Sequence, residues 1–290
     1  MATLENDRAG VAPWLLSSPA LLLFVVLLFV PLLLTLMLSF KVFSDVNGIQ
    51  TTYTLANYVA VVTDPYYGAI FLRTAGLAIA VTLLSALLGV PETIVLARMQ
   101  KPWQSWCLLV VLGPLLISVV VRTLGWQILL GNNGLLNNAL QALGITSEPI
   151  RLVFTMTGVI IALTHVLVPF MVMSVWATLQ KLDPQVEWAG LSLGASPFHV
   201  FRRVVLPQIL PGVLSGSIIV FALSASAFAT PALIGGRRLK TVATAAYDEF
   251  LGSLNWPLGA SIAILLLIAN VAIVMGCSRL AEQRFKHIFE

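Results

Sequence analysis

The chain has 290 residues, of which 59% are apolar and 10% charged, against roughly 45–50% and about 25% in soluble domains. Mean hydropathy is +0.96, and a globule of this length has too little interior to hide so much apolar surface; lipid is the solvent, and a soluble enzyme or a disordered chain is excluded. The formal net charge of +4, from 16 basic and 12 acidic residues, includes no basic tract long enough to grip phosphates, which excludes a nucleic-acid binder.

Stretches without Asp, Glu, Lys or Arg mark the membrane segments in chain order. They run from Arg8 to Lys41, Arg73 to Glu92, Lys101 to Arg122, Arg151 to Lys181, Arg203 to Arg237 and Glu249 to Arg279. A spanning helix takes about 20 apolar residues. Six helices are predicted, at 15–38, 71–97, 103–124, 152–179, 207–233 and 258–280; the second runs past Glu92 toward Arg98. The first is read as a retained helix, because its apolar stretch is too long for a signal peptide and Pro31 interrupts it. Spanning strands are not expected, since the apolar runs do not alternate. The expected fold class is an all-α membrane protein with six transmembrane helices. Residues 1–14 form an N-terminal segment, 15–280 a single transmembrane domain and 281–290 a tail. Cys107 and Cys277 lie in apolar runs without metal or redox spacing and are expected to be small buried hydrophobes.

An even count puts both termini on one side. With the N-terminus inside, nine basic residues face the cytoplasm and seven face out, a weak positive-inside bias. Arg98, Lys101 and the Arg279–Lys286 tail favour this orientation; Arg237, Arg238 and Lys240 oppose it.

The polar connection between the fourth and fifth spans reads QKLDPQVEWAGLSLGASPFHVFRRVVL. Asp183 suits a helix N-cap with Pro184 following, Gly194 ends that helix, and Ser196 with Pro197 opens a second. Val186, Ala189, Leu193, Phe198 and Phe201 recur at helical spacing. An interfacial helix lying on lipid and a docking element for a partner protein both fit this pattern.

The same segment resembles the cytoplasmic signature of ABC importer permeases, E-A-A-x-x-x-G, nine residues, then I-x-L-P. Gly194 is followed by nine residues and then Val204-Val205-Leu206-Pro207. The Glu-Ala-Ala positions hold Trp188, Ala189 and Gly190, with Glu187 one place earlier. Three further segments are similar to the spermidine/putrescine group of these permeases. They are LRTAGLAIAVTLLSALLGVPETIVLAR, VRTLGWQILLGNNGLLNNAL, and the pair FATPALIGG and NWPLGASIAILLL. The resemblance implies a type I ABC importer permease (MetI-like) fold in a bacterial inner membrane, with both termini cytoplasmic. It implies an ATPase-coupling loop at 182–206 that uses Glu187, Trp188, Ala189, Gly190, Gly194, Ala195, Ser196, Pro197, Leu206 and Pro207. The implied partners are a second, non-identical permease, two ATPase subunits and a periplasmic solute-binding protein.

No G-x-x-x-x-G-K-[S/T] loop is present, so this chain cannot cradle ATP phosphates itself. No cofactor is expected in it; ATP and Mg would sit in the partner ATPases. Ionisable and aromatic residues within the spans are candidates for the substrate path or gate: Glu92, His165, Trp126 and Trp256. Each has a simpler role open to it. Glu92 can reach Arg98, His165 can bond a neighbouring helix, and the tryptophans can form an interfacial belt. Arg73, Arg122 and Arg151 are expected to snorkel to headgroups. Residues 131–143 read as a short outer amphipathic helix with Leu136, Ala139, Leu140 and Leu143 on one face and Asn137, Asn138 and Gln141 off it. The predicted outer segments carry seven basic and five acidic residues, a sign that does not itself favour a polycation. A zwitterionic or anionic nitrogen compound stays open as substrate. A secondary transporter working alone is the alternative, and neither an internal repeat nor a set of intramembrane charges supports it.

Overall fold

The computed structural model describes residues 12–289. Residues 1–11, most of the expected N-terminal segment, and Glu290 lie outside the described residues, as do the side chains of Arg284 and Lys286. The chain divides into two compact units, one of residues up to 63 with 246–264, the other of 64–245 with residues from 265 on.

The first unit opens with α1 (Ala12–Ser39), which runs unbroken through Pro31. Its residues 21–30 are all exposed apolar side chains, as a lipid-facing span requires. A hairpin follows, β1 (Lys41–Ser44) paired antiparallel with β2 (Gly48–Tyr53), and then α2 (Ala56–Thr63). The turn between the strands needs Gly48, at φ +66°. Asn57 fastens the hairpin to the end of α1, donating to the carbonyls of Ser39 and Lys41 at 2.9 Å each. In the same unit Asn255 caps α12 (Trp256–Phe289) by accepting from the Leu258 amide at 3.2 Å.

The second unit is built on three long helices: α3 (Pro65–Arg98), α7 (Met156–Leu179) and α10 (Leu206–Ala225). Leu77 and Val81 of α3, Val159, Leu167, Met171 and Val175 of α7, and Ile209 and Val220 of α10 form its buried core. Lipid gives no hydrophobic drive for helices to associate, so close approach depends on small residues. Gly212 and Gly216 of α10 provide it. A methyl at Gly216 would meet Met171 Sδ at 2.8 Å, and one at Gly212 would overlap Thr178 Oγ1. Ser174 Oγ donates to the Gly212 carbonyl at 2.8 Å across the same contact. Gly212→Val is therefore expected to cost about 1–3 kcal/mol through overpacking, read as a lower melting temperature in detergent. Ser215→Val, on the exposed side of the same helix, should leave that temperature unchanged.

Among the described residues five helices are long and apolar enough to cross a membrane, six when α4 (Trp103–Leu116) and α5 (Val119–Leu129) count as one span. That pair corrects the straight third span expected at 103–124: it bends by 100° at Ile117–Ser118. Pro114 withholds a donor one turn before the break, and the Pro114 carbonyl, left without an amide beyond the break, accepts from Arg122 Nη1. Arg122 is accordingly buried, at 9% exposure, and does not snorkel to headgroups. The fifth span also differs from 207–233. Its helix is continuous from Pro197 to Ala225, through α9 (Pro197–Val200) and a π-helical turn at Phe201–Val205. The wide turn lies directly before Pro207, where a regular helix would clash with the proline ring. At the far end the Ser224 and Ser226 hydroxyls donate back to the carbonyls of Phe221 and Ala222, at 3.0 and 2.8 Å, and the helix stops.

Two smaller expectations are corrected. Cys107 is half-buried and Cys277 exposed, so neither is a core residue. In α6 (Leu135–Ala142) Asn137 is fully buried while Leu135 and Leu143 are exposed. Asn137 Nδ2 donates to the carbonyls of Gly131 and Ile150, and its Oδ1 accepts from the Ile150 amide, at 2.8–3.0 Å. It anchors the returning 144–150 segment. Asn137→Ala should cost about 1–3 kcal/mol by stranding those groups and should expose residues 131–150 to limited proteolysis.

Candidate functional site

Two features of the second unit bear on function. The first is the polar connection after α7. It folds as α8 (Pro184–Ser192) and α9, set at an angle by the glycine between them. Asp183 accepts from the Gln185 amide at 2.9 Å and Ser196 from the His199 amide at 3.3 Å, so both helices carry the caps their sequences call for. Gly194 has φ +84°. Its amide donates to the Leu191 carbonyl at 3.0 Å, and the Ala195 amide donates to Gly190 at 3.3 Å. These are the two bonds of a Schellman motif, which a glycine accommodates without strain. Gly190 packs on Val200, leaving 3.1 Å for a methyl group there.

The result is an elbow with an apolar outer surface. Trp188 is 65% exposed and Phe198 73%, with Leu191 and Leu193 also exposed. None of the described α8 side chains is buried. Glu187 and Ala195 are partly covered, Ala189 and Ser196 are exposed, and Leu206 and Pro207 lie where the elbow's helix enters the long span. That helix is continuous from Pro197, so no loop separates the elbow from the span. Glu187 forms an ion pair with Arg98, the last residue of α3, at 2.8 Å. Arg98 is thus engaged by the elbow, and Glu92 has a different setting.

That setting is the second feature, a cavity of about 680 Å³ between α3, α4, α5 and α7. Three of the four residues marked as path or gate candidates line it together: Glu92, Trp126 and His165. Trp256 belongs to the other unit, where it opens α12. Apolar side chains and Pro114 and Pro169 make up most of the wall, and Glu92 is the one charged residue among the described lining. Trp126 Nε1 donates to His165 Nδ1 at 3.2 Å, with the rings edge to face at 5.3 Å. Indole nitrogen is only a donor, so Nδ1 is the lone-pair nitrogen and the imidazole proton sits on Nε2. Thr164, also in the wall, is 5% exposed, and its buried Oγ1 has no hydrogen-bond partner. A carboxylate and an indole in one largely apolar wall suit a desolvated cation. Sequence spacing did not reveal Thr164, because a lone threonine on an apolar helix usually bonds back to its own backbone.

Among the described residues no group of three or more His, Cys, Asp or Glu could hold a metal ion. Comparison with known proteins agrees with the helix plan. Residues 9–287 match the family of the binding-protein-dependent transport system inner membrane component. The spermidine/putrescine transport system permease protein PotB of Escherichia coli strain K12 is 32% identical over 260 residues, covering 90% of this chain and 92% of that one. PotB of Salmonella typhimurium strain SL1344 is 31% identical over 267 residues, covering 91% and 93%. In structure, a chain of a bacterial alginate ABC transporter crystallised with a pentasaccharide-bound periplasmic protein superimposes with a TM-score of 0.78 at 16% identity, over 97% of this chain and 99% of that one. That likeness establishes the fold, a type I ABC importer permease of the MetI-like kind. The chain belongs to the binding-protein-dependent transport system inner membrane components, the non-catalytic, multi-pass permease subunits of ABC importers.

Proposed function

We propose that the chain forms half of the translocation path for a small cationic nitrogen compound of the putrescine or spermidine kind. The observation that carries this reading is the cavity whose one charged lining residue among those described is Glu92, with Trp126 and Thr164 in the same wall. The relatives' names point to the same substrate class. His165 orients Trp126 in the wall. The partner permease, of different sequence, supplies the other half.

The elbow within 182–206 is the ATPase-coupling loop. Trp188, Leu191 and Phe198 form its apolar contact surface, and Gly190, Gly194, Ala195, Ser196 and Pro197 set its angle. Leu206 and Pro207 pass its movement to the fifth span. Two ATPase subunits bind ATP and Mg, and their closure must hold the elbow differently from their open form, otherwise nothing is transmitted. This places the elbow and both termini in the cytoplasm, with residues 15–280 as the transmembrane domain, 281–290 as a cytoplasmic tail and a periplasmic binding protein delivering the solute. The test is uptake of labelled putrescine by membrane vesicles carrying the whole importer, competed by polyamines, amino acids and organic acids. Competition by polyamines alone is expected; competition by an organic acid but no amine would overturn the substrate class.

A further inference from the structure

Helix α8 is held at two places. At Gly190 it rests on Val200, which leads into the fifth span. At Glu187 it is paired with Arg98, the last residue of α3, at 2.8 Å. Between these holds lies a cavity of about 440 Å³ walled by Gln104, Trp176, Gln180 and Gln208 among others. None of the described α8 side chains is buried, so apolar packing of α8 is limited. Asp183, the other carboxylate in this cavity wall, accepts from the Gln185 amide as a helix cap. Among the described residues the ion pair is the polar hold between α8 and α3. Arg98 stands six residues beyond Glu92 on one continuous helix, about 9 Å along its axis.

We propose that Arg98 is a positioning residue: through Glu187 it clasps the coupling elbow to the second span, so that movement of the elbow shifts α3 and the Glu92 wall as well as the fifth span. The inference rests on the coupling role of the elbow given above. It makes two levers of one elbow, a covalent one into α10 and an electrostatic one into α3. Both side chains are partly solvated, at 58% and 36% exposure, so the clasp is weak enough to be reset in each cycle.

The experiment uses the complete importer in proteoliposomes and reads solute molecules imported per ATP hydrolysed. Arg98→Glu and Glu187→Arg are each expected to lower that ratio about two- to fivefold, the range an exposed pair supports. With Arg98→Glu the ATPase should copurify in unchanged amount, which shows that this variant folds and docks. The combined R98E/E187R exchange should return the ratio close to the parent value, and Arg98→Lys should keep most of it. Single variants with the parent ratio, or an exchange no better than the singles, would overturn the clasp. Failure of the ATPase to copurify with the parent chain would instead overturn the coupling role itself, and the clasp with it.

Discussion

Trp188→Ala is expected to release the ATPase and to reduce uptake at least tenfold, while the chain stays folded in the membrane. Trp188 is 65% exposed, so its removal opens no core cavity. Its ring is the largest apolar surface on α8, and aromatic anchors of this kind carry about 2 kcal/mol or more of a docking interface, roughly a thirtyfold change in affinity. Gly194→Val should have the same result by a different cause. At φ +84° a β-branched residue is strongly disfavoured, and the two bonds that end α8 at Leu191 and Gly190 would be lost. The space around Gly194 is open, so the effect is on the angle of the elbow rather than on packing. Copurification of the ATPase with each variant, beside uptake, is the measurement. Parent-like copurification and uptake by Trp188→Ala would remove the elbow from the coupling account.

Glu92→Gln should lower uptake of a cationic solute by tenfold or more, with little change in ATPase copurification or in solute affinity of the binding protein. The substitution conserves shape and removes the single charge from the described cavity wall. A hydrogen bond to a charged group is worth about 1.5–3 kcal/mol, which corresponds to roughly ten- to a hundredfold. Glu92→Asp keeps the charge and should retain part of the activity. Transport kinetics of the three forms decide the matter: equal kcat/KM for the parent and Glu92→Gln would mean that the cation does not meet Glu92.

The spans were legible because their signal is compositional; a lysine or arginine in lipid is costly wherever it falls. The caps at Asp183 and Ser196 were legible because a capping residue acts on amides two or three positions away. Features that depend on distant partners were not. Pro114 was visible in the sequence, but prolines are tolerated in membrane helices, and nothing local announced that Arg122 would fill the carbonyl left at the break. A helical wheel sets Asn137 on the polar side of its helix and cannot register that the chain returns at Ile150 to use both ends of its amide. Arg98 and Glu187 are 89 positions apart, so only the folded chain could pair them. The hairpin at 41–53 is too short to raise a periodic signal of its own. Glu92, Trp126 and His165 stand out singly in the sequence as costly or amphipathic residues in apolar runs; only the fold brings them into the wall of one cavity.

As a permease subunit of an ABC importer, this chain should move solute only as part of an ATP-driven assembly. The most direct test is solute uptake into proteoliposomes with and without the ATPase subunits, the binding protein and partner permease being present in both. The account predicts uptake that requires the ATPase and stops when ATP is replaced by a non-hydrolysable analogue. Uptake by the permease chains alone, driven by an ion gradient without the ATPase, would contradict it.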